Sequence, residues 1–183
     1  MPDALLLADE HGGEELGGGG HHFCGKSGNN LYCWGYNNHG QLGDGTKTNR
    51  ATPVYARTYS ATARFSVGQE STCATVFRSA TYDKDKKTYA TQCWGNNTNG
   101  QLGNGNKTSL TKPTTNYYQQ GKNISEKNWV SKFKCCTASL ADFHHTPCAR
   151  LNGELWCWGY GGGGTLGSNT TVDQVHARRV TGF

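Results

Sequence analysis

Cysteine is the residue type best placed to do chemistry in this chain of 183 residues, which contains eight cysteines. A thiol binds a metal, attacks a substrate or forms a disulfide, and the spacing of the cysteines helps to decide among these. Six of the eight fall into three pairs: Cys24 and Cys33, Cys73 and Cys93, and Cys148 and Cys157. Each pair ends in the triplet Cys-Trp-Gly, so the pairs belong to a repeated unit.

A separation of nine residues, as in the first and third pairs, suits a β-hairpin with a two-residue turn. Folded in this way, the third pair has Cys148 facing Cys157 and its turn on Asn152-Gly153, the strongest signal for a type I′ turn. The first pair then has its turn on Gly28-Asn29. Opposed residues have Cβ atoms roughly 4.5–5.5 Å apart, which a small adjustment brings to disulfide distance. We predict a disulfide here, with buried free thiols as the alternative.

Cys73 and Cys93 are twenty residues apart, and we interpret their segment as the same hairpin lengthened, with its tip near residues 82–87. The two remaining cysteines, Cys135 and Cys136, lie in an insert over residues 117–143. They could bond each other, bond another chain or stay reduced.

Metal binding and catalysis are not expected from this sequence. Histidines precede Cys24 and Cys148, but no C-x-x-C knuckle is present, and structural zinc usually needs four ligands at such spacing. The chain contains no H-E-x-x-H motif, phosphate-binding loop, dinucleotide fingerprint or nucleophile elbow. The acidic residues within the repeats are scattered singly. We therefore predict no enzyme activity, no metal and no cofactor.

Three copies of one repeat must position the cysteine pairs. Residues 31–54 and 91–114 align without a gap, and half of the 24 positions are identical. The third copy, residues 155–180, keeps Cys-Trp-Gly, one glycine and the later Leu-Gly. The Cys-Trp-Gly triplets are 60 and then 64 residues apart, the size of a four-stranded propeller blade with its loops.

The repeated residues other than cysteine are predicted to form the core of each unit. The tryptophans should be buried and equivalent in position between neighbouring sheets, while the leucines fill the gap between blades and the glycines allow close backbone approach. These residues are Trp34, Gly35, Leu42, Trp94, Gly95, Leu102, Trp158, Gly159 and Leu166.

The pattern Cys-Trp-Gly-x-Asn-x-x-Gly-Gln-Leu-Gly-x-Gly, followed by Lys-Thr and proline, resembles the regulator of chromosome condensation repeat family. The resemblance implies an all-β chain with four-stranded antiparallel blades, about three in number and part of a seven-bladed propeller. The cysteine pairs are similar to those of the cysteine-bearing branch of the family, not the nuclear branch. We expect an unplaced leader over residues 1–16 and repeats at about 17–60, 61–120 and 121–183.

Charge and hydropathy exclude some classes of partner. The formal net charge is only +5, and no run of five or more Lys or Arg exists, so nucleic-acid binding is not expected. No apolar run is long enough to span a membrane. Disulfides predict an extracellular or cell-surface location. Residues 1–7 do not match a signal peptide, so we expect the chain to be part of a longer protein.

Four Asn-x-Ser/Thr triplets agree with that location, because they are acceptors for N-glycosylation in secreted proteins. The acceptor residues are Asn96, Asn106, Asn123 and Asn169.

These inferences predict a non-enzymatic, protein- or glycan-binding propeller module of a secreted or cell-surface protein. The alternative is a guanine-nucleotide exchange or chromatin-binding propeller of the same repeat family. Three blades do not close a ring, so self-association or further blades are expected. The candidate binding residues lie at the long hairpin tip and at the start of the insert: Tyr82, Lys84, Lys86, Lys87, Tyr117 and Tyr118.

Overall fold

The computed structural model describes residues 16–59, 65–78, 88–115, 145–151 and 154–182. Within these ranges the regular structure is eleven β-strands and one short 3-10 helix, Gly162–Gly164. The strands are β1 (Leu16–Gly18), β2 (His22–Ser27), β3 (Asn30–Gly35), β4 (Arg50–Thr58), β5 (Phe65–Val67), β6 (Ser71–Arg78), β7 (Thr88–Gly95), β8 (Leu110–Thr115), β9 (Cys148–Leu151), β10 (Glu154–Gly159) and β11 (Gln174–Arg179).

The strands form three antiparallel sheets in which neighbours in sequence are neighbours in space. Sheet 1 contains β1 to β4, sheet 2 contains β5 to β8, and the described part of sheet 3 contains β9 to β11. Local pairing of this kind suits short strands joined by glycine-rich turns. The predicted all-β fold of four-stranded antiparallel sheets is confirmed.

A disulfide joins the two central strands of sheet 1 and of sheet 2, and a third joins the adjacent strands β9 and β10 of sheet 3. Directly opposed residues are linked in all three cases: Cys24 with Cys33, Cys73 with Cys93, and Cys148 with Cys157. The predicted hairpin registers are confirmed, since Ser27 opposes Asn30 and Leu151 opposes Glu154. Gly28 adopts φ +55°, a turn conformation that favours glycine.

The main apolar cluster lies between sheets 1 and 2. The cysteine-bearing face of sheet 1 packs on the face of sheet 2 that carries Trp94, and Leu42 lies between them, fully buried. The buried members of the cluster are Cys24, Leu31, Cys33, Leu42, Tyr59, Phe65, Val67, Ala74 and Trp94. A smaller cluster of Cys73, Cys93 and Leu102 lies on the other face of sheet 2.

The three repeat tryptophans are not equally buried, contrary to the expectation from sequence. Trp94 is 0% exposed and Trp158 is 6% exposed, whereas Trp34 is partly exposed. In the part of the chain that the structure describes, no sheet precedes sheet 1, so no loop covers Trp34 as loops cover the other two. Trp34 instead stacks on Phe23 of its own sheet, with ring centroids 6.0 Å apart.

This difference in burial predicts a difference in stability between two matched variants. Trp94→Ala should lower the free energy of unfolding by about 3–5 kcal/mol, since it opens a cavity between two sheets. Trp34→Ala should cost less, roughly 1–2 kcal/mol, because part of the indole is already in water. Urea unfolding of both variants measures this, and equal losses would contradict the burial described here.

Candidate functional site

A buried asparagine organises the loop that follows β3. The Asn37 side-chain carbonyl accepts the N–H of Leu42 at 3.0 Å. Its amide nitrogen donates to the carbonyls of Thr46 at 3.2 Å and Thr48 at 3.1 Å. One side chain therefore satisfies backbone groups from both halves of the loop and holds it in a single shape.

The same arrangement recurs in the second repeat around Asn97, which accepts from the Leu102 N–H at 2.9 Å. The Asn97 amide donates to the carbonyls of Asn106 and Thr108, each at 3.0 Å. The repeat pattern includes this asparagine, but the sequence does not indicate its role in the loop. The signal was there, because this position is identical in the two aligned copies.

The third repeat has Gly161 at this position and keeps only part of the network. The Gly161 N–H donates to Asp173 Oδ1 at 3.1 Å, just as the Asn37 N–H donates to Asn49 Oδ1 at 2.8 Å. The third loop therefore keeps the hydrogen bond at its first residue, but glycine has no side chain that could bind the backbone groups inside the loop.

A carboxylate strengthens the first loop. Asp44 Oδ2 accepts two hydrogen bonds from Arg50, at 2.9 Å from Nε and 2.8 Å from Nη2. Burial opposes its charge, but hydrogen bonds from Thr46, Arg50 and Asn37 outweigh burial and hold the pKa of Asp44 below its ordinary value. This charged group is part of the loop's own structure.

The first and second loops each dock on the tryptophan of the following sheet. The Trp94 indole N–H donates to the carbonyl of Gln41, and the Trp158 indole N–H donates to the carbonyl of Gln101, both at 2.9 Å. A Cβ on Gly43 would lie 2.7 Å from the Trp94 indole nitrogen. Only glycine therefore lets the loop backbone lie directly on the ring.

A polar chain also crosses the boundary between sheets 1 and 2. The Thr72 hydroxyl donates its one hydrogen to the Gln41 carbonyl at 2.9 Å, so it can only accept from His22 Nε2, 2.8 Å away. His22 is therefore the neutral tautomer with its proton on Nε2. Its burial lowers the pKa from 6.5 to about 4, an effect that Glu70 partly opposes.

The lowered pKa of His22 predicts acid destabilisation. Between pH 6.5 and 4 the unfolded chain binds a proton at His22 that the folded chain does not, so stability falls as the pH falls. The loss at pH 4 should be on the order of 3 kcal/mol. His22→Gln should lose less stability than the wild type on acidification, as measured by urea unfolding at pH 7 and pH 4.5.

His21→Gln is the control for this experiment, since His21 is the exposed neighbour of His22. This variant should lose nearly as much stability on acidification as the wild type, because the charge of His21 is the smallest of the three causes that set the pKa of His22. If His22→Gln and the wild type lose equal amounts, His22 does not carry the effect.

The turns on one side of the three sheets come together in a single strip. In each repeat, the residue after the Trp-Gly pair donates its N–H to a carbonyl just before the first cysteine strand: Tyr36 to His21, Asn96 to Glu70, and Tyr160 to His145, at 2.8–2.9 Å. Neighbouring repeats touch here, since His39 lies 3.7 Å from Glu70 and Gln101 lies 3.0 Å from His145. We call the strip the loop edge; it consists of His21, Tyr36, Asn38, His39, Glu70, Asn99, His145 and Tyr160.

The loop edge presents rings with polar tips. Tyr160 is 41% exposed and His21 is exposed, while the His21 and Tyr36 rings meet edge to face with centroids 6.1 Å apart. The Asn38 amide donates to the Tyr36 hydroxyl. Such rings combine apolar contact area with hydrogen-bonding groups, which is the composition of many recognition surfaces.

Several residues predicted from sequence lie outside the described ranges. They are the candidate binding residues Tyr82, Lys84, Lys86, Lys87, Tyr117 and Tyr118, the adjacent cysteines Cys135 and Cys136, and the glycosylation candidate Asn123.

The glycines of the Cys-Trp-Gly triplets, Gly35, Gly95 and Gly159, adopt φ values of +107°, +101° and +91°.

The predicted glycosylation sites divide into buried and exposed. Asn96 is 5% exposed, and its amide nitrogen donates to Glu70 Oε2 at 2.6 Å. Both features argue against a glycan on Asn96 in the folded chain, because the acceptor nitrogen is buried and already has a partner within the protein. Asn106 and Asn169 are exposed.

The described residues contain no group of three or more His, Cys, Asp or Glu side chains placed to hold a metal ion. No helix within the same residues is long and apolar enough to cross a membrane.

Sheets of antiparallel strands, stacked through a loop that sits on the next sheet's tryptophan, define a β-propeller repeat protein. Residues 29–75 and 93–135 match the Regulator of chromosome condensation (RCC1) repeat. These two regions are therefore repeats of this family, as the sequence pattern predicts.

Known proteins resemble the chain in part. The Ultraviolet-B receptor UVR8 of Arabidopsis thaliana is 27% identical over 157 residues, which cover 85% of this chain and 31% of the receptor. The chain thus spans about a third of that relative's length. Human WBSCR16 superposes with a TM-score of 0.46 at 17% identity, covering 96% of this chain and 55% of the other. A crystal structure of Kap60 bound to yeast RCC1 (Prp20) gives a TM-score of 0.42 at 16% identity, with coverages of 96% and 50%.

Proposed function

We propose that this chain is a non-enzymatic protein-binding module that acts outside the cell or at its surface and contacts its partner through the loop edge. The observation that carries the proposal is the meeting of aromatic and polar side chains from three repeats in one strip. The repeat family and its propeller sheets provide the scaffold.

A protein partner suits the composition of this strip. Tyrosine and histidine rings bury apolar area while their polar atoms keep hydrogen bonds, and aromatic residues are enriched in protein interfaces. Two of the supporting loops are held by Asn37 and Asn97, so little conformational freedom is lost when a partner binds. Rigid turns with varied side chains favour recognition by shape.

The disulfides support a location in an oxidising compartment. Structural disulfides form and persist outside the cell and in the secretory pathway, while cytosolic and nuclear thiols are kept reduced. Three pairs in equivalent positions of three sheets are therefore an argument against the alternative of a nuclear exchange factor or chromatin-binding protein.

Two of the groups with shifted pKa values, His22 and Asp44, already have structural roles, which supports a binding function without catalysis. His22 lies between two sheets and is hydrogen-bonded to Thr72, and Asp44 is held by Thr46 and Arg50 within its loop. Catalytic groups with shifted pKa values typically line a cleft that a substrate can enter.

The binding proposal predicts different effects for two exposed tyrosines. Tyr160→Ala, on the loop edge, should weaken binding of the partner by at least tenfold, about 1.4 kcal/mol. Tyr55→Ala is the matched control, because Tyr55 is similarly exposed (52%) but lies on β4, away from the loop edge. Partners captured from an extract of the source organism are identified by mass spectrometry and then titrated against both variants. Equal binding by the two variants would contradict the proposal.

The location proposal predicts the chemical state of protein recovered from its native source. Non-reducing peptide mapping should find the links Cys24–Cys33, Cys73–Cys93 and Cys148–Cys157, because each pair is directly opposed across a hairpin. Glycans should occur on Asn106 or Asn169 and be missing from Asn96, whose amide is buried. Six free thiols would overturn the location, while leaving the binding surface to be judged by the tyrosine variants.

A further inference from the structure

Basic side chains gather on the last strands of the sheets. Of the Lys and Arg side chains that the structure describes, all but the buried Lys26 lie on such a strand or on the loop before it. They are Lys47, Arg50, Arg57, Lys107, Lys112, Arg178 and Arg179. The loop edge contains no Lys or Arg. The basic residues are therefore separated from the strip proposed to bind a protein.

Three of these basic residues belong to the place where the first loop lies on β8. The Gly45 N–H donates to the Thr111 carbonyl at 2.9 Å, which fixes the loop on this strand. A Cβ on Gly45 would lie 3.3 Å from Lys112 Nζ, so this ammonium group lies over the loop. Arg57 reaches across from β4, and its Nη1 donates to the Pro113 carbonyl at 3.2 Å. Lys47 is exposed on the loop itself, two residues after Gly45.

Arg50 is the fourth basic residue of this place. It donates to Asp44 Oδ2 from Nε at 2.9 Å and from Nη2 at 2.8 Å, and Asp44 directly precedes Gly45 in the loop. We call the four residues Lys47, Arg50, Arg57 and Lys112 the basic corner.

The basic corner carries more positive charge than its acidic residue neutralises. The described residues supply one carboxylate there, Asp44, whose side chain is 8% exposed and paired with Arg50. The ammonium groups of Lys47 and Lys112 have no hydrogen bond or ion pair with any described residue. Arg57 is bonded to a backbone carbonyl, which has no net charge. Four cations and one carboxylate give a net charge of 4 − 1 = +3.

The next junction shows that the stacking of sheets does not require this charge. Where the first junction has Arg50, Asp44 and Lys112, the second has Leu110, Asn104 and His176. Lys107 is equivalent to Lys47, but its Nζ is paired with Asp173 Oδ2 at 3.1 Å. This loop docks on the next sheet in the same way, although its lysine and its aspartate cancel. Because like charges brought together cost stability, the excess at the basic corner favours a role in binding.

We propose that the basic corner binds a sulfated polysaccharide of the cell surface or extracellular matrix. The proposal rests on the extracellular location proposed above and is independent of the loop edge. Guanidinium and ammonium groups bind oxyanions through charge-assisted hydrogen bonds. A chain with anionic groups at intervals pairs with several cations at once and releases its counterions, which drives binding.

The arrangement of the cations favours a polysaccharide over a small anion or a protein. The four side chains come from the first loop, β4 and β8, and each is at least partly exposed, so a small anion would meet only part of them. Protein interfaces usually have an apolar centre and are depleted in lysine, whereas half of this corner is lysine.

The corner also lacks the ring that a single-stranded nucleic acid needs. Proteins hold single strands by stacking bases on aromatic side chains. The exposed ring on β4, Tyr55, opposes Tyr32 and lies on the same face of sheet 1 as that residue. Leu31 and Cys33, the neighbours of Tyr32, face sheet 2. Tyr55 therefore lies on the face of sheet 1 opposite to the corner.

Heparin is the probe that tests this proposal, titrated calorimetrically against the full, oxidised chain at about 0.15 M salt, the physiological ionic strength. The wild-type chain should bind, and its affinity should fall as salt is added. Lys47→Gln and Lys112→Gln should each weaken binding by about three- to fivefold, the effect of one exposed ion pair. Each should also reduce the slope of log affinity against log salt by about one. Near-ultraviolet circular dichroism checks that both variants are folded.

Lys107→Gln is the matched control, because it removes the same charge from the equivalent loop position of the next repeat. Lys107 is already paired with Asp173, so this variant should change heparin affinity by less than about twofold. Equal weakening by Lys47→Gln and Lys107→Gln would show that heparin responds to the net charge of the chain, and would overturn the proposal. No heparin binding at this salt concentration would overturn it as well.

Two other ligands test the chemical class. Desulfated heparin keeps its carboxylates and should bind at least about tenfold more weakly than heparin. Duplex DNA carries its phosphates on a wide, rigid cylinder that reaches only part of a corner between two sheets, so it should also bind more weakly. DNA binding as tight as heparin binding, or undiminished binding of desulfated heparin, would contradict a sulfated polysaccharide as the ligand.

The loop edge and the basic corner are judged separately. Tyr160→Ala should leave heparin binding unchanged, and Lys47→Gln should leave binding of the protein partner unchanged. Because heparin binding is measured on the purified chain, its outcome does not depend on whether a protein partner is found.

Discussion

The hydrogen bond from an indole N–H to a loop carbonyl is the contact on which the stacking of the sheets depends. Trp94 and Trp158 each lie under a glycine-bounded turn, and each finds its acceptor at 2.9 Å in the preceding repeat. A buried indole needs such a partner, since an unpaired N–H would carry the full cost of its lost hydration. The close approach of loop and ring requires glycine at 43 and 103. This one contact therefore explains why both the tryptophan and the glycine recur in the repeats of this chain.

The loop that supplies the carbonyl is itself stabilised from within. Asn37 and Asn97 span their loops, so the carbonyl is already aimed at the indole before the sheets meet. The same rigid turns present the rings of the loop edge on the outside. One element therefore holds the next sheet on its inner side and carries His39 or Asn99 on its outer side. The disulfide behind each tryptophan fixes the hairpin on which the loop rests.

Trp34 is partly exposed because no described loop carbonyl accepts its indole N–H in the way that Gln41 and Gln101 accept those of Trp94 and Trp158. A repeat array buries each face only against a neighbour, so a face without a neighbour keeps its apolar residues in water. Phe23 covers part of Trp34, and Leu16 extends the exposed surface. The corresponding loop of the third repeat, residues 164–169, has an exposed Thr165 and an open groove. The exposed face of sheet 1 and the groove of the third repeat have the same cause. Among the described residues, the contact between a loop and the next tryptophan forms twice, and it is missing at these two places.

The sequence alone determined the repeat, the all-β class and the hairpin registers. These depend on turn residues and strand alternation within about twenty positions, and Gly28-Asn29 or Asn152-Gly153 carry that information locally. Only the tertiary structure decided that Trp34 is partly exposed while Trp94 is buried, that Asn96 is hydrogen-bonded to Glu70, and that His22 is neutral. The physical reason is that burial and pKa depend on groups from the adjoining repeat, which lie tens of residues away in the chain and meet only when the sheets stack.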